Sequence, residues 1–319
     1  MSMAKKFEKI VVLGTGGTIA GQAATAQDHV GYVAGALDVQ TVLASVAGVS
    51  EILGSVQLLS ERIAQIDSKD MDAPTWHALA MRVRHWAAQP GVGAIVITHG
   101  TDTLEETAWF LAQTCALPCP VVLVSAMRPA SALSPDGPQN LRDALVVALD
   151  ARSQGVLAVS AGAVHAARHV RKAHPYRVDA FDSGDAGVLG WVQAGQVRWQ
   201  HPAPSALEVD QNLPPPELWP WVEVLTSHAM AQAASVDALV AAGVRGLVVA
   251  ATGNGTVHVQ WERALQRACD HGVKVWISTR CEQGPVVRSA SEVCAWGVYT
   301  DLPPMKARIG LMLSLMASA

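Results

Sequence analysis

The sequence predicts an α/β protein made of a large parallel-sheet domain followed by a smaller α/β domain. Three observations predict it. Apolar, mostly β-branched runs alternate with helical stretches, a proline-rich segment then interrupts the alternation, and a shorter alternation resumes beyond it. The chain has 319 residues, half of them hydrophobic and 16% charged, which is ample for two ordinary domains and a large core.

Between Phe7 and Ser160, strand-like runs fall at Ile10–Leu13, Val56–Leu59, Ala94–Thr98, Val121–Ser125 and Val156–Val159. The clearest helix between them is Met71–Gln89, where Trp76, Leu79, Ala80, Val83 and Trp86 recur at helical spacing. Pro74 suits its first turn. From Ala161 to Trp199 the rhythm shortens to β-like pieces with Gly and Asp turns, which predicts hairpins. The prolines between His201 and Pro216 mark a linker, giving expected boundaries of 1–200, 201–220 and 221–319. Beyond it lie Trp221–Leu225, Ser235–Ala242, Leu247–Ala251, Val257–Asp270, Val273–Ser278 and a closing helix over Met305–Met316.

Composition excludes several classes of function. Apolar runs break well before the ~20 residues a membrane helix needs. With a net charge of -4 and no basic tract, nothing points to nucleic acid. Met1–Lys6 is followed by no apolar leader, so no signal peptide is read. Five cysteines (Cys115, Cys119, Cys269, Cys281, Cys294) include no CxxC pair, which argues against a disulfide framework or zinc site and for a reducing, cytoplasmic compartment. His165 and His169 lack the intervening glutamate of a zinc-protease motif and are expected to be surface residues.

The chemistry-bearing features are two similar turns, Thr15-Gly16-Gly17-Thr18 and Thr98-His99-Gly100-Thr101, each directly after a strand-like run. In an open α/β sheet, the carboxyl ends of strands are where ligands bind. The dinucleotide fingerprint fails at Ile19, and no lysine follows as a phosphate loop requires. A serine-hydrolase elbow is absent. A threonine nucleophile remains, and an alcohol needs a base or a lowered pKa to attack. Asp102 and Lys172 supply suitable charges if the fold brings them together. His99 carries no assigned chemistry and is read as structural.

Thr15–Gly21 together with Thr98–Ala108 resembles the paired signature of the bacterial-type L-asparaginases. Ile66–Met71, Ala126–Pro129, Asp136–Leu141, Gly253–Gly255 and Lys306–Arg308 agree in order, so the resemblance spans nearly the whole chain. It implies a flavodoxin-like N-terminal domain, no metal or organic cofactor, and a homotetramer built as a dimer of intimate dimers. The implied activity is hydrolysis of L-asparagine, with a dual glutaminase-asparaginase acting also on L-glutamine as the alternative. A non-catalytic amino-acid sensor on the same scaffold is the reading from another class.

By position, the resemblance makes Thr18 the nucleophile and Tyr32 its neighbour on a mobile lid. Thr101, Asp102 and Lys172 form the second catalytic cluster, with the Thr101 N–H as oxyanion donor. The resemblance further implies that Ser68, Lys69, Gly100, Thr101, Asp102 and the Ala126 carbonyl line the substrate, with Asn254 expected to reach it from the partner subunit. Lys69 departs from the family, where an amide or carboxylate is common. Its cation predicts weaker affinity for free asparagine, unless it turns to solvent. The disulfide of many secreted members has no counterpart, and Glu292 is a candidate for the partner-subunit acid.

Overall fold

A computed structural model of the protein describes residues 8–206, 210–287 and 294–318. The chain divides into two compact units, Met1–Gln211 and Asn212–Ala319.

The first unit is organised by a run of strands: β1 (Lys9–Gly16), β2 (Gln22–Ala23), β3 (Tyr32–Val33), β4 (Gln57–Ile66), β5 (Val92–Thr98), β6 (Val121–Val124), β7 (Val156–Ser160), β8 (Ala163–Ala166), β9 (Arg171–Lys172), β10 (Phe181–Asp182), β11 (Gly190–Gln193) and β12 (Gln196–Trp199). Its helices are α1 (Val39–Ala44), α2 (Val49–Leu53), α3 (Ala73–Ala87), α4 (Leu104–Thr114) and α5 (Gly137–Leu149). Eight strands form one sheet in the order β12-β11-β8-β7-β6-β5-β1-β4. The five strands from β7 to β4 pair in parallel, and the remainder pair antiparallel. Counted along the chain, those five parallel strands run 2-1-3-4-5, the flavodoxin-like order. The order reverses between β1 and β5, so the crevice at their carboxyl ends is where this topology places a ligand.

Ile10, Val11, Val12 and Leu13 are wholly buried, as are Ile95, Val96 and Ile97 of β5, because helices cover both faces of a parallel sheet. On one face Trp76 of α3 stacks on Phe110 of α4 with centroids 5.0 Å apart. On the other, Leu141, Ala144 and Leu145 of α5 pack with Ile10, Val12, Val96 and Val124.

Helix starts follow local chemistry. Asp72 caps α3 by accepting from Thr75 N, with Pro74 in the first turn. Glu105 and Glu106 occupy the first turn of α4, where the helix dipole favours negative charge. The strand expected at Val56–Leu59 runs on to Ile66. β4 is the sheet edge, and its half-exposed Ser60–Gln65 segment carries polar residues that an apolar-run criterion passes over. The hairpins expected between Ala161 and Trp199 are β9–β10 and β11–β12, and β8 pairs back on β7.

The second unit has four parallel strands in the order β13 (Val222–Thr226), β14 (Gly246–Ala251), β15 (Lys274–Thr279) and β16 (Val298–Tyr299). Helices α6 (Ala233–Ala241), α7 (Val259–Asp270) and α8 (Pro304–Ala317) accompany them. Trp261, Leu265, Val249 and Ile277 centre its core. Among the described residues, no helix is long and apolar enough to cross a membrane.

Candidate active site

Two strand ends meet through bare backbone. β1 and β5 run side by side as far as Gly14 opposite Thr98, and Thr15 Oγ1 donates to the Thr98 carbonyl at 3.0 Å. Gly17 follows with φ 78° and ψ -173°, a region that is essentially glycine-only. A Cβ on Gly17 would lie 2.3 Å from both N and Cα of Gly100. A Cβ on Gly100 would stand 2.5 Å from Ser68 Oγ. The two glycines therefore let the two turns close on each other and on Ser68.

Thr18 opens a short 3-10 turn (Thr18–Ala20) just after Gly17 and is buried. Its Oγ1 lies 2.6 Å from Tyr32 Oη. Tyr32 sits on β3, the return strand of the β2–β3 hairpin, opposite Ala23. That hairpin is tied down where Ala23 N donates to Ser131 Oγ and Leu133 N donates to the Ala26 carbonyl. Its tip exposes Val30, and Val33 at the open end, opposite Gln22, is exposed as well. Burial raises the Tyr32 pKa, opposed by the Thr18 hydrogen bond and assisted by the negative charges of Asp67 and Asp102. The phenol is therefore protonated at neutral pH.

The second cluster is built from β9 and the segment entering α4. Lys172 Nζ donates to Thr101 Oγ1 at 2.8 Å and to Asp102 Oδ1 at 2.5 Å. The ammonium is largely shielded, whereas Asp102 is half exposed, leaving its carboxylate open to a ligand. Asp102 N donates to Ser68 Oγ at 3.1 Å, and Thr103 Oγ1 donates to the Ser68 carbonyl at 2.7 Å. Ser68 is thereby pinned in a buried position.

His99 fixes the peptide between Gly100 and Thr101. Its ring, fully buried, places Nδ1 2.7 Å from the Gly100 carbonyl and Nε2 2.9 Å from Thr107 Oγ1. Trp76 Nε1 donates to that same Thr107 oxygen at 2.9 Å. Burial lowers the His99 pKa to about 4, so the ring is neutral. The donors then line up in one direction: Trp76 to Thr107, Thr107 to Nε2, and Nδ1–H to the Gly100 carbonyl. With that carbonyl turned to His99, the trans peptide points the Thr101 N–H the opposite way. Among the described residues, no acceptor meets this N–H.

Ala126, at the end of β6, is buried in a turn held by Asp136, whose carboxylate accepts from Met127 N and Arg128 N, both at 2.9 Å. Lys69 Nζ pairs with Asp70 at 2.6 Å and Asp67 at 3.4 Å, and its side chain is 60% exposed. Those carboxylates raise its pKa, the Asp70 hydrogen bond first.

Two family profiles match the chain, one described as "Asparaginase, N-terminal" over residues 9–205 and one as "Glutaminase/Asparaginase C-terminal domain" over residues 221–319. The chain belongs to the asparaginase family. It is 35% identical to the "Probable L-asparaginase periplasmic" of Haemophilus influenzae, over 98% of this chain and 90% of the relative. It is also 35% identical to a "Glutaminase-asparaginase" of Pseudomonas fluorescens, covering 97% of this chain and 87% of that one. Among solved structures, a probable cytoplasmic L-asparaginase from Campylobacter jejuni superposes with a TM-score of 0.89 at 36% identity, covering 97% of this chain and 95% of that one.

Within this asparaginase, Thr18, Tyr32, Ser68, Gly100, Thr101, Asp102, Ala126 and Lys172 all belong to the first unit. Asn254 belongs to the second, where both ends of its amide are engaged: Nδ2 donates to the Val287 carbonyl and Oδ1 accepts from Val287 N. Glu292 lies outside the described residues. Among the described residues, no cluster of three or more His, Cys, Asp or Glu is placed to hold a metal ion.

His165 is a correction to the sequence reading. It lies buried on β8, with Nδ1 2.8 Å from Ser183 Oγ, because β8 is an interior strand of the extended sheet. His169 is exposed, as expected. Sequence reasoning also passed over Glu105, whose carboxylate accepts from the backbone N–H of Lys172 at 2.5 Å. Only its position in the Thr98–Ala108 signature hinted at a role.

Proposed function

We propose that the chain hydrolyses L-asparagine to L-aspartate and ammonia through an acyl-enzyme on Thr18, a dual glutaminase-asparaginase being the alternative. The observation that supports this most is the Lys172–Thr101–Asp102 triangle, joined through the Gly17–Gly100 contact to the Thr18–Tyr32 pair.

Thr18 Oγ attacks the side-chain amide carbon while its proton passes to Tyr32 Oη. Because the phenol is already protonated, it accepts only by handing its own proton onward, toward the departing nitrogen. The oxyanion that forms accepts from the Thr101 N–H, which the His99 hydrogen bond aims away from the histidine. Collapse releases ammonia and leaves an aspartyl ester on Thr18. Water then attacks the ester, positioned by Thr101 Oγ1, whose polarity the Lys172 ammonium increases. The ester bond breaks, aspartate leaves and Thr18 recovers its proton.

Asp102 and Ser68 hold the substrate's α-ammonium and α-carboxylate, and the Ala126 carbonyl accepts from the scissile amide N–H. Asparagine and glutamine differ by one methylene, which a pocket discriminates by only ~1–3 kcal/mol. Some relatives, including that of Pseudomonas fluorescens, bear the name glutaminase-asparaginase. The assembly proposed is a homotetramer, a dimer of intimate dimers, in which Asn254 of each chain serves its partner's site. For that, the amide must give up or share Val287. Five free cysteines favour a cytoplasmic location.

Ammonia release from asparagine and glutamine, measured for wild type, Thr18→Ala and Thr101→Val, tests the reading. Turnover of asparagine above glutamine in wild type, with a loss of at least about a hundredfold in each variant, is the expected result. Binding without turnover in wild type would support the amino-acid sensor instead.

A further inference from the structure

Lys172 is carried by very little structure. β9 is two residues long and pairs with the equally short β10, with Lys172 opposite Phe181. Among the described residues the ribbon continues only as far as Ala173 N and His174 N, which both donate to the Ala180 carbonyl. An isolated two-stranded ribbon is marginal at best. Yet the Nζ of Lys172 reaches two acceptors at 2.8 and 2.5 Å, which asks for an anchor on the backbone of Lys172 itself beyond that short ribbon.

The fixing contact comes from α4. Glu105, in the first turn of that helix, places Oε2 2.5 Å from the Lys172 backbone nitrogen, which donates to it. This bond is charge-assisted, the stronger class of neutral-donor bond to a carboxylate. Its geometry is economical: Thr101, Asp102 and Glu105 lie within five consecutive residues, and each grips Lys172. The side chain is held at two points by the turn and the backbone at a third by the helix that the turn begins.

We propose that Glu105 is a positioning residue of the active site, holding the Lys172 main chain so that its ammonium stays aligned on Thr101 and Asp102. It acts through Lys172 and does not touch substrate. The inference rests on the proposed role of Lys172 in the reaction. A shift of about 1 Å in a catalytic group costs on the order of a hundredfold in rate, so loosening this anchor lowers kcat far more than it changes substrate binding.

The test compares Glu105→Ala, Glu105→Gln and Glu105→Asp with wild type and Lys172→Met in ammonia release from asparagine. Gln keeps an oxygen at the same reach, whereas Asp withdraws it by one methylene. The expected result is a roughly 10- to 100-fold fall in kcat for Ala, with KM within about threefold. Gln should restore kcat to within about threefold of wild type, and Asp should fall between Gln and Ala. If Ala does not fold, the Gln and Asp pair carries the same contrast. In a Thr101→Val background, Glu105→Ala should cost little further, because the hydroxyl on which Glu105 acts through Lys172 is already gone. Inactive Lys172→Met beside wild-type kcat in Glu105→Ala overturns this inference alone. An equal fall in Gln and Ala also overturns it, since the acceptor oxygen would not be what matters. Full activity in Lys172→Met overturns the underlying reading of the site.

Discussion

Gly17 and Gly100 touch through their backbones: a methyl group on the first would stand 2.3 Å from the amide nitrogen of the second. This contact belongs to the place where the parallel sheet reverses its strand order, between β1 and β5. It joins the turn that offers Thr18 to the turn that offers Thr101. Gly17→Ala is expected to cost at least about 1–3 kcal/mol from backbone strain alone. The steric overlap adds to that and separates the two turns. Thermal unfolding should record a lower midpoint, and the ammonia assay a kcat reduced by more than tenfold. Wild-type kcat in a stable Gly17→Ala protein would show that the close approach is dispensable.

Lys69 is paired with Asp70 and Asp67 and faces solvent. Its charge is therefore answered locally, and repulsion of a substrate ammonium is correspondingly weak. Lys69→Gln is expected to leave the KM for asparagine within about threefold, in keeping with the small worth of exposed ion pairs. A tenfold fall in KM would restore the repulsive role that the sequence suggested.

His99 gives the fold a defined acid sensitivity. Its pKa is about 4 in the folded protein, against an ordinary value of 6.5. The unfolded chain therefore binds the extra proton more tightly between those values. Stability is complete above about pH 6.5 and falls as pH drops toward 4, by on the order of 3 kcal/mol. Denaturant midpoints of wild type and His99→Asn across this range provide the measurement. The variant should start less stable, having lost the Thr107 and Gly100 bonds, but show a shallower fall. Parallel curves would assign the sensitivity to other groups.

Asp143 works in the opposite direction. Burial among the α5 packing residues raises its pKa from 3.8 to about 6, while the hydrogen bond from Gln139 Nε2 at 2.8 Å partly opposes that rise. Here the folded state holds the proton more tightly. Its contribution is favourable below about pH 4 and is lost as pH rises through 6. Asp143→Asn keeps the acceptor oxygen and removes the buried charge, so it should stabilise the protein at pH 7 by about 1–3 kcal/mol. No gain in melting temperature at pH 7 would contradict this.

Much of the fold was legible because burial on both faces writes itself as continuous apolar runs. β1, β5, β6 and β7 all announced themselves in this way. β4 did not, since an edge strand has one side to leave polar, and only its beginning carries the apolar pattern. In the candidate site, Thr18, Thr101 and Asp102 stand in or beside the two turns that follow strand-like runs, and Ser68 entered through the family resemblance. The Lys172 contact to Thr101 spans 71 residues of sequence, so the need for a charged partner pointed to Lys172 and the family resemblance placed it, while spacing gave no access to the contact. Glu105 and the Trp76–Thr107–His99 chain stayed hidden for a similar reason. Their function lies in hydrogen-bond direction, which residue type does not encode. His165 was misread because alternation in a short interior strand resembles a loop when its neighbours are small residues such as Ala163 and Ala166.

In the proposed reaction the first turn attacks and the second polarises. The most direct measurement is tandem mass spectrometry on enzyme quenched in acid during asparagine turnover, using Thr101→Val to slow release of the acyl group. An aspartyl ester is expected on the peptide containing Thr18, absent from Thr18→Ala. An ester on Thr101 in the wild-type enzyme, or asparagine turnover persisting in Thr18→Ala, would contradict it.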